Sequence, residues 1–145
     1  MIYTTIIVSA LEILKEIFSL SKKVLDSTDS EKHAKSVNAL NVGVSDTYAK
    51  MREIIVNCNK FSDEEKIQKL AELAEQEKES KEKCNEMILE NRKNVTDVIM
   101  TVLKGFLTCG ISFAPEIIKG LKSTLGANAE FQEIELTADS IDNKY

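Results

Sequence analysis

One histidine, three cysteines and a ladder of glutamates are the side chains of this chain most able to do chemistry, and their spacing pairs none of them for it. His33 stands two residues past Glu31, in what reads as the first turn of a helix, where a solvated or helix-capping role is expected. No Cys-His or Ser-His nucleophile pair is marked out around it. Cys58, Cys84 and Cys109 are odd in number, widely separated and free of CxxC or His-ligand spacing, so zinc is not expected. They read as free thiols acting as small hydrophobes in a reducing, cytoplasmic setting.

Glu72, Glu75, Glu79, Glu82 and Glu86 recur at steps of three and four and so share one helix face. They are interleaved with lysines and lack the Glu-x-x-His pairs of a di-iron bundle, which makes a solvated face the expectation. No phosphate-binding glycine run, EF-hand loop or HExxH motif occurs, and Gly105-x-x-x-x-Gly110 lacks the Lys and Ser/Thr that a nucleotide loop needs. Those two glycines read instead as the end of, or a bend in, a helix. No catalytic, cofactor-binding or metal-ligating residue is assigned, and the chain is read as a non-enzyme.

The elements that would position any site are helical. At 145 residues, with 43% apolar and 30% charged residues and a single proline, the chain is long enough for one core and too poor in turn residues for an all-β fold. From Tyr3 to Leu25, Ile7, Leu11, Leu14, Phe18 and Leu25 form an apolar stripe at helical spacing. Thr28 and Glu31 have capping-box spacing ahead of a second helix, expected from about Asp29 to Asn59. Along it Val37, Leu40, Val44, Thr47, Met51, Ile54, Cys58 and Phe61 alternate steps of three and four, a heptad seam. Asn41 and Gly43 lower helix propensity beside that seam, so residues 41–46 are where a bend is expected if there is one.

Ser62 and Glu65 repeat the capping-box signal, and no proline or glycine follows until Gly105. A single helix from Asp63 to Lys104 would be about 63 Å long. Ile67, Leu70, Ala74, Cys84, Ile88, Val95, Val98 and Val102 fall on a drifting stripe along it, thinning between Gln76 and Lys83, where opposite charges three or four apart can support an exposed helix. Such a helix divides into a charged first half and an apolar second half. Pro115 to Leu125 reads as a short fourth helix closed by Gly126.

The expected fold is therefore all-α: an elongated antiparallel helical bundle with coiled-coil-like packing of three long helices and one short C-terminal helix, over 1–126, followed by an acidic, flexible tail over 127–145. The net charge of -5 is drawn largely from that tail and leaves no basic field for nucleic acid. The N-terminus is apolar, but Glu12, Lys15 and Glu16 interrupt it, unlike a signal peptide. The leading expectation of function is a non-enzymatic protein-protein interaction or assembly module, self-associating into a homo-oligomer such as a dimer, and without cofactors. The alternative is a membrane-active helical effector, or an inhibitor of one, using the apolar segment 105–118.

Overall fold

The computed structural model describes residues 2–90 and 93–111, with side chains from Glu12 to Glu90 and from Asn94 to Ile111. Among these residues the chain forms four helices: α1 (Ile2–Asp26), α2 (Ser30–Asn57), α3 (Asp63–Asn85) and α4 (Lys93–Thr108). They make an all-α helical bundle in which each helix packs chiefly on its neighbours in the chain, while α4 also touches α1 and α2. The short helix expected after Pro115 and the acidic tail lie outside the described residues.

Paired contacts fix the antiparallel direction of the central helices. Going down α2 and up α3, Asn41 meets Asn85, Ser45 meets Lys81, Arg52 meets Glu77 and Val56 meets Lys66. On the other side of α3, Lys83 faces Asp97 and Gln76 faces Thr108 of α4.

The heptad seam of α2 is buried along its length: Leu40, Val44, Thr47, Met51, Ile54 and Cys58 are sealed from solvent, with Val37 and Phe61 partly covered at its ends. α2 runs unbroken through 41–46, so the glycine there has a packing role instead of a breaking one. A Cβ on Gly43 would stand 2.7 Å from Leu20 Cδ1 and 3.2 Å from Ile17 Cδ1, which is the close approach of α1 to α2. α1 in turn buries Leu14, Ile17 and Val24.

The helix expected from Asp63 to Lys104 is instead a hairpin. α3 stops at Asn85, Glu86 and Met87 turn back to bond the carbonyls of Glu82 and Cys84, and Asn94 Nδ2 donates to the Lys83 carbonyl at 3.2 Å. The physical reason is visible in the residue types. Asn85, Asn91 and Asn94 crowd a short stretch, and asparagine side chains compete for backbone groups that a helix needs. Burying Met87 inside the turn and folding α4 back along α3 covers apolar surface that a straight rod would leave bare.

This break also moves the apolar stripe of α3. Leu73, Ser80 and Cys84 are its buried residues, whereas Ile67 and Ile88 are 69% and 54% exposed and Ala74 faces solvent. α4 carries the densest part of the core, with Val95, Val98, Ile99, Val102, Leu103 and Phe106 all buried.

Helix ends follow side-chain chemistry. At Ser62 both halves of the capping box form: Glu65 N donates to Ser62 Oγ and Ser62 N donates to Glu65 Oε1, and the bond from Ser62 N, supported by the Ser62 hydroxyl, holds the Glu65 carboxyl below its ordinary range. The cap of α2 is Asp29, not Thr28: its carboxylate accepts from Lys32 N at 2.9 Å, and Glu31 pairs with Lys35 instead of reaching back. Gly110 ends α4 with φ 82, and the bonds Gly110 N to Leu107 O and Ile111 N to Phe106 O complete a Schellman turn. Gly105 terminates nothing. It lies inside α4, where an added Cβ would be 2.6 Å from Met51 Sδ and 3.1 Å from Tyr48 Cε1.

Tyr48 is the polar tie of this core. Fully buried, it donates its hydroxyl to the Thr101 carbonyl at 3.0 Å and lies 3.3 Å from Ser80 Oγ, joining α2, α3 and α4. Burial pushes its phenol well above the ordinary tyrosine range, so it stays a neutral donor.

Met51→Ala is expected to cost about 2–4 kcal/mol in urea unfolding, because a fully buried side chain leaves a cavity. Gly105→Val alone is expected to cost about 1–3 kcal/mol by overpacking. The double variant should cost clearly less than the sum, since the valine fills the space that Met51 vacates; additive losses would show that the two positions do not meet. Tyr48→Phe is expected to lower stability by about 1 kcal/mol, the net value of a buried neutral hydrogen bond, and an unchanged urea midpoint would remove the tie from the account.

Candidate functional site

The seam of α2 does not begin at Val37. Stepping back by four from Val37 reaches His33, and the structure buries that side chain to 6% exposure. The solvated or capping role expected for His33 is therefore corrected: it continues the inward face of α2 into the turn that joins α1. Its Nδ1 lies 3.1 Å from Ser27 Oγ, and Ser27 donates its own hydroxyl to the Val24 carbonyl at 2.6 Å. With that proton committed, the hydrogen bonds favour Nδ1 as the donor to Ser27, and in the neutral ring Nε2 is then the acceptor. Nε2 is sealed from solvent and has no hydrogen-bond partner among the described residues.

His33 forms part of a groove of about 410 Å³ between the first turns of α2 and the connection from α3 to α4. Val37 and Asn38 continue the α2 wall, and Cys84, Met87 and Ile88 form the opposite one. The break in the third helix builds this site. A helix continuous from Asp63 would carry residues 87–90 away from α2, whereas the turn folds Met87 and Ile88 back against it.

The arrangement is suited to binding and not to nucleophilic chemistry. Ser27 is buried and directs its proton to a backbone carbonyl, away from the imidazole that would have to accept it. Burial pushes the Cys84 thiol up to about 11, with nearby Lys81 opposing only in part, so a thiolate is scarce at neutral pH. Cys109 is pushed up to about 12 for the same reason and donates toward the Met51 carbonyl. All three cysteines are free and buried. Among the described residues no group of three His, Cys, Asp or Glu side chains is placed to hold a metal ion.

A second surface stands apart from the groove. Glu72, Glu75, Glu79 and Glu82 are exposed along the outer face of α3 and Glu86 just past its end, and none is in an ion pair among the described residues. Lys78 stays exposed within this row and forms no ion pair among the described residues, whereas the other lysines of α3 reach neighbouring elements. Lys66 donates to the Val56 carbonyl, Lys69 to the Thr108 carbonyl, Lys81 to Ser45, and Lys83 pairs with Asp97.

With this geometry in hand, the chain matches no protein-family model, no curated protein and no solved structure.

Ser27→Ala is expected to lower unfolding stability by about 1–3 kcal/mol, because it strands the buried Nδ1–H of His33. The loss should shrink in a His33→Phe background. A loss that is the same in both backgrounds would mean that the hydroxyl acts only through the Val24 carbonyl.

Proposed function

We propose that this chain is a non-enzymatic helical interaction module of the cytoplasm that binds a protein partner and associates with copies of itself. The observation that carries the reading is the outer face of α3. From Glu72 to Glu86 it presents five exposed carboxylates over about 21 Å, with Lys81 and Lys83 drawn to the flanks and Lys78 left as the exposed cation among them. A predominantly acidic face steers association with a basic protein surface and repels a phosphate backbone. Buried unpaired thiols support the reducing compartment.

Self-association calls for a different face, since two acidic rows repel. Val42 and Val56 are 62% and 55% exposed and stand on the same side of α2, with exposed Ala49 midway between them. That line, opposite the buried seam, is the apolar strip available for a dimer. The membrane-active alternative gains no support from 105–111, where Gly105, Phe106, Cys109 and Ile111 are packed in the core. Among the described residues no helix is long and apolar enough to cross a membrane, and 112–118 lie outside them.

Affinity capture from host lysate with the wild type and with a Glu75→Lys, Glu79→Lys, Glu82→Lys variant tests the partner. The expected result is a bound protein that is lost in the variant and weakened by raising salt from low to physiological strength. All three positions are exposed, so the thermal midpoint of the variant should stay within a few degrees of the wild type. Equal capture by both proteins, or none by either, would sink the acidic-face reading. Light scattering of the wild type and of Val56→Asp tests self-association in parallel.

A further inference from the structure

We propose that the groove beneath the start of α2 is a binding site for a small neutral molecule with an apolar body and one N–H or O–H donor, for which an indole-type aromatic N–H is the matching chemistry. This goes beyond the protein-interaction reading and does not rest on it. Among the described residues four buried polar side-chain atoms lack a partner, Ser21 Oγ, His33 Nε2, Asn41 Oδ1 and Gln76 Oε1, and of these four residues only His33 lines the groove. Its Nδ1 is committed to Ser27, which takes no part in the lining, and its Nε2 has no partner among the described residues.

The surroundings narrow the ligand. Val37, Met87 and Ile88 offer apolar surface for its body, and Asn38 and Asn85 lie among the lining side chains as neutral polar groups. The volume of about 410 Å³ falls in the range of small-molecule sites. Among the described residues Glu90 is the charged side chain in the lining, and its negative charge disfavours anions. Because Nε2 is sealed from water, the donor must enter by displacing a lining side chain. Met87 is suited to yield, being unbranched and flexible, and its thioether packs well against an aromatic ring. The chain has no tryptophan and so cannot supply an indole itself.

The test uses the full chain with ¹⁵N-labelled histidine, titrated with indole and separately with benzofuran, which keeps the bicyclic shape but replaces the N–H by an acceptor oxygen. The expected result is a shift of the His33 Nε2 resonance by indole and an affinity about tenfold above that for benzofuran, the discrimination of one buried hydrogen bond. His33→Phe should erase the preference while leaving weak binding of both compounds. Equal affinities in the wild type, or an Nε2 resonance that indole does not move, would overturn the proposal, and that comparison stands even where the variant fails to fold.

Discussion

The bundle depends on how closely α4 can approach α2, and that distance is set at one place. Gly105 lies against Met51 and Tyr48 so tightly that any side chain there would displace one of them. One turn earlier on α4, the Thr101 carbonyl receives the Tyr48 hydroxyl. Apolar burial alone would bring the helices together at many depths and registers, because it has no direction. A buried phenol has direction: it is tolerated only where an acceptor meets it. The glycine permits the depth, and the hydrogen bond selects the register. Ser80, close to the same hydroxyl and bonded to the Gln76 carbonyl, extends that selection to α3. Gly43 performs the spatial half of this task between α2 and α1, with Leu20 and Ile17 seated over it.

Much of this was legible in the sequence where a period was long enough to be unambiguous. The α2 seam from Val37 to Phe61 is buried as its three-four spacing implies, and the Ser62–Glu65 cap marks the start of α3 to the residue. His33 was equally legible, since it extends the same seam by one step; its polar type obscured a position that the period already fixed. The division of the third helix was harder to read. Neither proline nor glycine marks it, and its signal is a cluster of asparagines whose effect depends on whether α4 gains more by folding back than by continuing. Gly105 shows the opposite ambiguity. Glycine serves both chain reversal and close packing, and only the identity of the facing residues, Met51 and Tyr48, decides between them.

That hidden turn also explains why the candidate site escaped the sequence. The groove is made by residues far apart in the chain, His33 and Val37 on one wall and Met87 and Ile88 on the other, and they share no motif. What joins them is the reversal after Asn85. Asn41 Nδ2 donates to Asn85 Oδ1 at 3.0 Å, fixing the end of α3 beside α2 just where the chain turns. A site formed by a tertiary turn between helices leaves no local pattern. Its trace in the sequence is indirect, a histidine on a largely apolar seam.

The charge pattern of α3 follows from the same packing. Two of its lysines reach the C-terminal turns of neighbouring helices, Lys66 to the Val56 carbonyl near the end of α2 and Lys69 to the Thr108 carbonyl at the end of α4. Both ends carry unpaired carbonyls and negative dipole charge, so a cation is stabilising there. Lys69 also lies 4.6 Å from the centre of the Phe61 ring. A lysine stem is long enough to cover a helix flank while its ammonium finds a carbonyl; a glutamate in the same place would add negative charge to a negative end. Bundle formation thus draws Lys66, Lys69, Lys81 and Lys83 toward neighbouring elements and leaves Glu72, Glu75, Glu79 and Glu82 outside. The acidic face is in this sense a product of the fold. Exchanging the lysines for neutral residues would weaken the bundle, whereas exchanging the outer glutamates touches no internal contact, and that separation makes the face free to serve recognition.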